Sequence, residues 1–170
     1  MHASGRDEYV EFVTVRLPGL RRLAYGLCGD WHRADDLVQT TLTKAYLKWP
    51  AVRDSTHIDR YVHAIMVKSF LSERRTGWAR VRLFASTPEA PAPDNGSVED
   101  RTVLDAALDL LPRRQRAVVV LRYVCDMSVA EVAEALGCST GTVKSQAFDA
   151  LAALRRRLNA VSYPTRGGSA

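Results

Sequence analysis

The chain is poor in the features that mark several large protein classes. Cysteine is scarce: Cys28, Cys125 and Cys138 lie far apart in 170 residues and mostly in apolar company, so no disulfide framework is expected. Cys28 and His32 stand four apart, but Gly29 and Asp30 interrupt the helix between them, and no second pair completes a metal site. The longest apolar run is about "AVVVL", far too short to span a bilayer, and no charged-then-apolar leader opens the sequence. A soluble, cytoplasmic protein is therefore expected. Also missing are a Gly-rich phosphate loop, a Ser with a His/Asp relay, and paired carboxylates with a reason for a raised pKa. No enzyme, no metal and no cofactor are expected. His2, His32, His57 and His63 stand among polar residues, and His63 reads first as a solvated helix histidine. Strand signals are equally thin, since the β-branched run at residues 118–120 has nothing nearby to pair with.

What is present is helical periodicity, and the fold class expected is all-α. Hydrophobic residues make up 46% of the chain, enough for a core, and the formal net charge is +5. The distribution of charge says more than the total. Residues 1–84 hold fourteen Lys and Arg against nine Asp and Glu, and residues 101–170 hold ten against six. Residues 85–100, "ASTPEAPAPDNGSVED", hold four acids and no base. That stretch has no helical or strand period and is stiffened by Pro88, Pro91 and Pro93, so it reads as an extended linker. The expected organisation is a helical domain at 1–84, the linker at 85–100, a second helical domain at 101–160 and a tail at 161–170.

Apolar residues recur at helical spacing from Tyr9 to Leu27, with Pro18 expected to break or kink the run into two segments. Gly29 and Asp30 make a stop and a new cap. A helix then places Leu37, Val38, Thr41, Leu42, Ala45 and Trp49 on one face until Pro50. Another begins at Ser55 or Thr56 with Ile58, Tyr61, Val62, Ile65 and Phe70 inward. Near the end of the chain, Ser128 precedes Glu131 by the capping-box spacing, which starts a helix at Val129. Gly137 suits the left-handed residue that ends it, and Ser139 caps the next. Along that next helix Val143, Ala147, Ala150, Leu151, Leu154 and Leu158 share one stripe, opposite Lys144, Ser145, Phe148, Asp149 and Ala152. Two helices around a tight Gly turn, the second with a small polar outer face, describe a helix-turn-helix or an ordinary helical hairpin.

Two blocks carry a resemblance. "DDLVQTTLTKAYLKW" at residues 35–49 resembles the core-polymerase-binding helix of bacterial sigma factors, and "LLPRRQRAVVVLRYVCDMSVAEVAEALGCSTGTVKSQAFDALAALRRRL" at 110–158 is similar to their −35-reading domain. Both occur in the family's order across a linker of suitable length, so the chain looks like a two-domain sigma factor of the extracytoplasmic-function class, in actinobacterial wording. The second block alone is shared with response regulators; the first is not. The resemblance implies a transcription initiation subunit that takes core RNA polymerase to specific promoters. The alternative is a stand-alone helix-turn-helix regulator whose first domain binds another protein.

The resemblance also implies partners and contacts. Asp35, Asp36, Leu37 and Gln39 would meet the polymerase β′ clamp helices, with Leu37 and Val38 divided between contact and inward packing. Residues 110–116 would meet the β flap. Tyr61, Lys68, Ser69, Ser72, Arg74 and Arg75 would grip the melted −10 element, with Arg80 and Arg82 beyond; Lys68 stands where many relatives carry Asn. Thr142, Lys144, Ser145, Gln146, Phe148 and Asp149 would face the −35 element, with Asp149 where many relatives place Arg. Promoter DNA and polymerase are the expected partners. Whether an anti-sigma factor also binds is left open by the residues.

Overall fold

The architecture follows from where each helix begins, where it stops and which face it buries. A computed structural model describes residues 3–73 and 103–162. Among the described residues there are eight helices and no strand. The linker at 85–100, together with Arg74, Arg75, Arg80, Arg82 and the tail beyond 162, lies outside the described residues.

Helix α1 spans Ala3–Cys28 without a break, so Pro18 does not divide it. The proline sits in an exposed stretch, 14–19, away from the core, where the lost bond to the Thr14 carbonyl is tolerated. Asp30 caps α2, Trp31–Leu47, by accepting from the Arg33 amide at 2.9 Å. Pro50 then opens a short α3, Trp49–Arg53, in whose first turn its missing N–H costs nothing. Helix α4 spans Ile58–Ser72. Tyr9 donates to the Leu42 carbonyl at 2.8 Å, and its ring meets Tyr46 and Trp49 edge-on, fastening α1 to α2 and α3.

The second half contains α5 (Val103–Asp109), α6 (Arg113–Val119), α7 (Val129–Leu136) and α8 (Thr140–Ser162). The valine run is helical, and α6 widens into a π-helical turn over Val120–Val124. Ser128 and Glu131 form the expected capping box on α7, and Gly137 closes it at φ 62, ψ 42. Ser139 accepts from the Thr142 amide at 3.1 Å at the start of α8. The stripe expected on α8 does face inward: Val143, Ala147, Ala150 and Leu154 are buried.

The halves do not stand apart. Leu27, Leu37, Val62, Met66 and Phe70 from the first share one core with Val118, Leu121, Val132 and Val143 from the second. Each such side chain contributes roughly 1.5–3 kcal/mol by leaving water, so the contact between halves is held mainly by apolar burial. Ala107, Leu111, Val119, Ala150 and Leu154 form a smaller core beneath α8. Two arginines of α6 reinforce the contact. Arg113 donates to the Phe70 carbonyl and stacks on the Phe70 ring, and Arg116, 7% exposed, donates to the Gly26 carbonyl at 2.6 Å.

Candidate polymerase and nucleic-acid interfaces

Helix α2 turns Ala34, Leu37, Val38, Thr41 and Ala45 into the core. That phase leaves Asp36, Gln39, Thr43 and Leu47 on one exposed stripe, since residues three, four and seven apart share a helix face. Asp36 and Gln39 are thus free to meet a partner. Leu37 is not: it is fully enclosed, so its place in the expected contact set is corrected to packing beneath that surface. Asp35 is half-buried and held by Arg21 through two bonds of 2.7 and 3.1 Å, and those bonds keep its carboxyl below the usual carboxylate range. The Arg21 guanidinium also lies 5.4 Å from the Trp31 ring centre, so Asp35 is fixed in place at one side of the stripe. Leu47, 75% exposed at the end of the same stripe, escaped the sequence reading. Its signal was present: it falls out of phase with the inward set.

Helix α4 carries the residues expected to hold the −10 strand. Lys68 and Ser72 are exposed, and Tyr61 is half-buried in a cleft of about 380 Å³ between α4 and α7. Ser69 is 2% exposed, and its hydroxyl accepts from the Lys44 ammonium at 2.8 Å. Its expected role as a surface contact is therefore corrected: it anchors Lys44 of α2 from inside the fold. His63 is also not a solvated helix residue. It is half-buried with Nδ1 enclosed and lacking a hydrogen-bond partner, and burial pushes its pKa down.

Helix α8 presents Lys144, Ser145, Phe148 and Asp149 to solvent, with Thr142 and Gln146 half-buried on the flanks. Phe148 is 73% exposed, an unusual state for a large ring on a structured helix. The Gln146 Oε1 is enclosed without a partner, leaving its amide nitrogen as the group free to turn outward. The Thr142 hydroxyl shares a 2.9 Å bond with Ser139, so it stiffens the turn that aims α8. Arg155 and Arg156 extend the exposed face beyond these residues.

The residues expected at the flap surface diverge. Leu110 is exposed, whereas Leu111 is buried and Arg113 and Arg116 reach into the first half. Cys28 and Cys125 are held as thiols, each pushed up to about 11, chiefly by burial. No described helix is long and apolar enough to cross a membrane.

Comparison with known proteins agrees with this arrangement. Residues 12–80 match the family model Sigma-70 region 2, and residues 101–154 match Sigma-70, region 4. The RNA polymerase sigma-E factor of Streptomyces antibioticus is 40% identical over 157 residues, covering 89% of this chain and 84% of that one. The ECF RNA polymerase sigma factor SigL of Mycobacterium tuberculosis is 34% identical, covering 82% of each. Among solved structures, the sigma factor RpoE of Bartonella quintana, in complex with the anti-sigma factor NepR, aligns with a TM-score of 0.72 at 28% identity, covering 89% of this chain and 97% of that one. Both region models, in order on one chain, and near-full-length relatives establish that the chain belongs to the sigma-70 family of RNA polymerase sigma factors, in its extracytoplasmic-function class.

Proposed function

We propose that three surfaces of this transcription initiation factor divide the work of initiation. The open stripe of α2, with Asp36 and Gln39 at its centre and Asp35 fixed by Arg21 beside it, docks on the β′ clamp helices of core RNA polymerase. Helix α4, through Tyr61, Lys68 and Ser72 and with Arg74 and Arg75 beyond it, holds the opened −10 strand by charge and stacking. Helix α8 enters the −35 major groove, where Lys144 and Ser145 meet phosphate while Gln146 and Asp149 read base edges. The first half, the acidic linker and the helix-turn-helix half thus act in series. The chain performs no chemistry itself and works in the cytoplasm. An anti-sigma factor of the kind bound to the Bartonella relative is a further partner.

The observation that carries this reading is the pair of solvent-facing polar surfaces on α2 and α8 of one chain. A stand-alone regulator needs the second and would turn the first to another protein, so the two readings part on whether core polymerase is that partner. Reconstitution with core polymerase and a genomic fragment library tests it: promoter-specific transcripts are expected only when the chain is added. DNA binding without new transcripts would assign the chain to the regulator class instead.

A further inference from the structure

A cavity of about 290 Å³ lies where the two halves meet. The first half lends it Cys28, Arg33 and Phe70, and the second lends Asp109, Arg113 and Arg116. Among the described residues its lining therefore carries three guanidiniums against one carboxylate. Arg116 is buried, and the Arg33 Nη2 and Arg113 Nε atoms are enclosed as well. Charges of one sign gathered away from water call for a counter-charge, because each has lost hydration. Asp109 supplies part of it. Gly29, at φ 70, leaves room for that carboxylate where a Cβ would collide with it, and Arg116 donates to it at 2.7 Å. Glu73, just past the end of α4, is acted on by Arg33 and Arg113 and adds a second acid. Three cations against two acids leave a positive excess among the described residues.

We propose that this cavity is a binding site for a small phosphate-class oxyanion, held between Arg33 of the first half and Arg113 and Arg116 of the second. Each guanidinium has protein partners: Arg113 donates to the Phe70 carbonyl, Arg116 to the Gly26 carbonyl, and Arg33 is engaged too. Those partners do not exhaust them, because a guanidinium carries five N–H donors in a planar fork. Carbonyl partners also leave the charge itself uncompensated, whereas a phosphate neutralises it and accepts several bonds at once. The volume sets the size of the ligand. It lies just below the range typical of sites that enclose drug-sized molecules, so it suits inorganic phosphate or a pyrophosphate group rather than a whole nucleotide. Burial pushes the Cys28 thiol up to about 11 against the pull of all three guanidiniums. The thiol is thus an uncharged neighbour that does not compete with the anion. An oxyanion seated there ties α2 to α6.

Titration calorimetry on the full chain, in phosphate-free buffer at fixed ionic strength, reads the site with sodium pyrophosphate, inorganic phosphate and adenosine 5′-diphosphate. One-to-one binding of pyrophosphate is expected, with inorganic phosphate weaker and sodium chloride giving no signal. Arg33→Gln should weaken it about tenfold or more, the loss expected when a charged hydrogen-bond donor is removed. Arg6→Ala with Arg155→Ala, which removes two cations from exposed positions outside the cavity, should leave it unchanged. A second measurement needs no change at the arginines. In a chain carrying Cys125→Ala and Cys138→Ala, Cys28 is the one thiol left. Pyrophosphate should slow its alkylation by iodoacetamide in proportion to the sites filled, because Cys28 lines the cavity. The nucleotide arm separates the sources of the phosphate. Tighter binding than pyrophosphate would point to a nucleotide whose base stays outside the cavity, and equal or weaker binding to the free anion. Failure of pyrophosphate to bind one-to-one would overturn the site. So would binding that survives Arg33→Gln undiminished, or that leaves the Cys28 rate untouched.

Discussion

The faces of α8 and α4 carry comparable polar residues but stand in different states. Lys144, Ser145, Phe148 and Asp149 on α8 lie in open solvent, as do Asp36 and Gln39 on α2. On α4, Tyr61 and Arg60 look into a cleft walled by α7, and Ser69 is consumed by Lys44. Two of the three proposed surfaces thus stand open in the free chain, while the third faces the chain's own second half.

The sharpest separation of surface from support should come from α2. Leu37→Ala is expected to destabilise the fold by about 2–5 kcal/mol, the range for removing a buried leucine side chain, measured by urea unfolding. Asp36→Ala with Gln39→Ala should leave the unfolding midpoint nearly unchanged and abolish co-elution with core polymerase. If both variants lose stability equally, the stripe is not a separate surface.

The packing of the second half against α4 is reinforced by Arg116, which ties Gly26 of the first half to Asp109 of the second. Arg116→Ala should cost about 3 kcal/mol, the low end for breaking a buried pair, because Asp109 stays partly open to water. Arg116→Lys should recover little, since one ammonium cannot reproduce a fork that reaches both acceptors. Equal stability of the lysine variant and wild type would move the holding force elsewhere.

On the open face of α8, Asp149→Ala should relax preference at one −35 base pair by about 1–3 kcal/mol if its carboxylate accepts from a cytosine amine. Asp149→Arg should strengthen salt-sensitive binding and shift the preferred base. Transcription from a library randomised at −35 reads both, and an unaltered base profile would exclude Asp149 from readout.

The smallest effect concerns His63, whose folded pKa lies below its ordinary value because the half-buried ring is costly to charge. The unfolded chain then binds the proton more readily. The stability due to the neutral ring is complete above the unfolded pKa of about 6.5 and declines as pH falls through it towards the folded value. Urea midpoints between pH 7.5 and 5, roughly bracketing that value, should fall for wild type and fall less for His63→Phe. Parallel curves would show that His63 carries no proton linkage.

Much of the second half was legible because its signals are local. Ser128 and Glu131 close a capping box three residues apart, Gly137 supplies a left-handed turn, and the α8 stripe repeats every three or four residues. The first half was legible in outline but not at its breaks. Pro18 lies inside α1 on an exposed stretch, 14–19, where the loss of one backbone bond does not leave a polar group in the core.

By itself the sequence determined the all-helical class, the caps, the turn chemistry and the two motif blocks, since each rests on residues within a few positions or on a composition. Tertiary structure alone decided which members of a motif remain available. Leu37 and Ser69 sit among candidate surface residues in the chain yet are enclosed in the fold, and Arg60 is paired with Glu131, 71 residues away. The physical reason is that availability depends on which distant helix covers a face, and helical periodicity states only that the face exists.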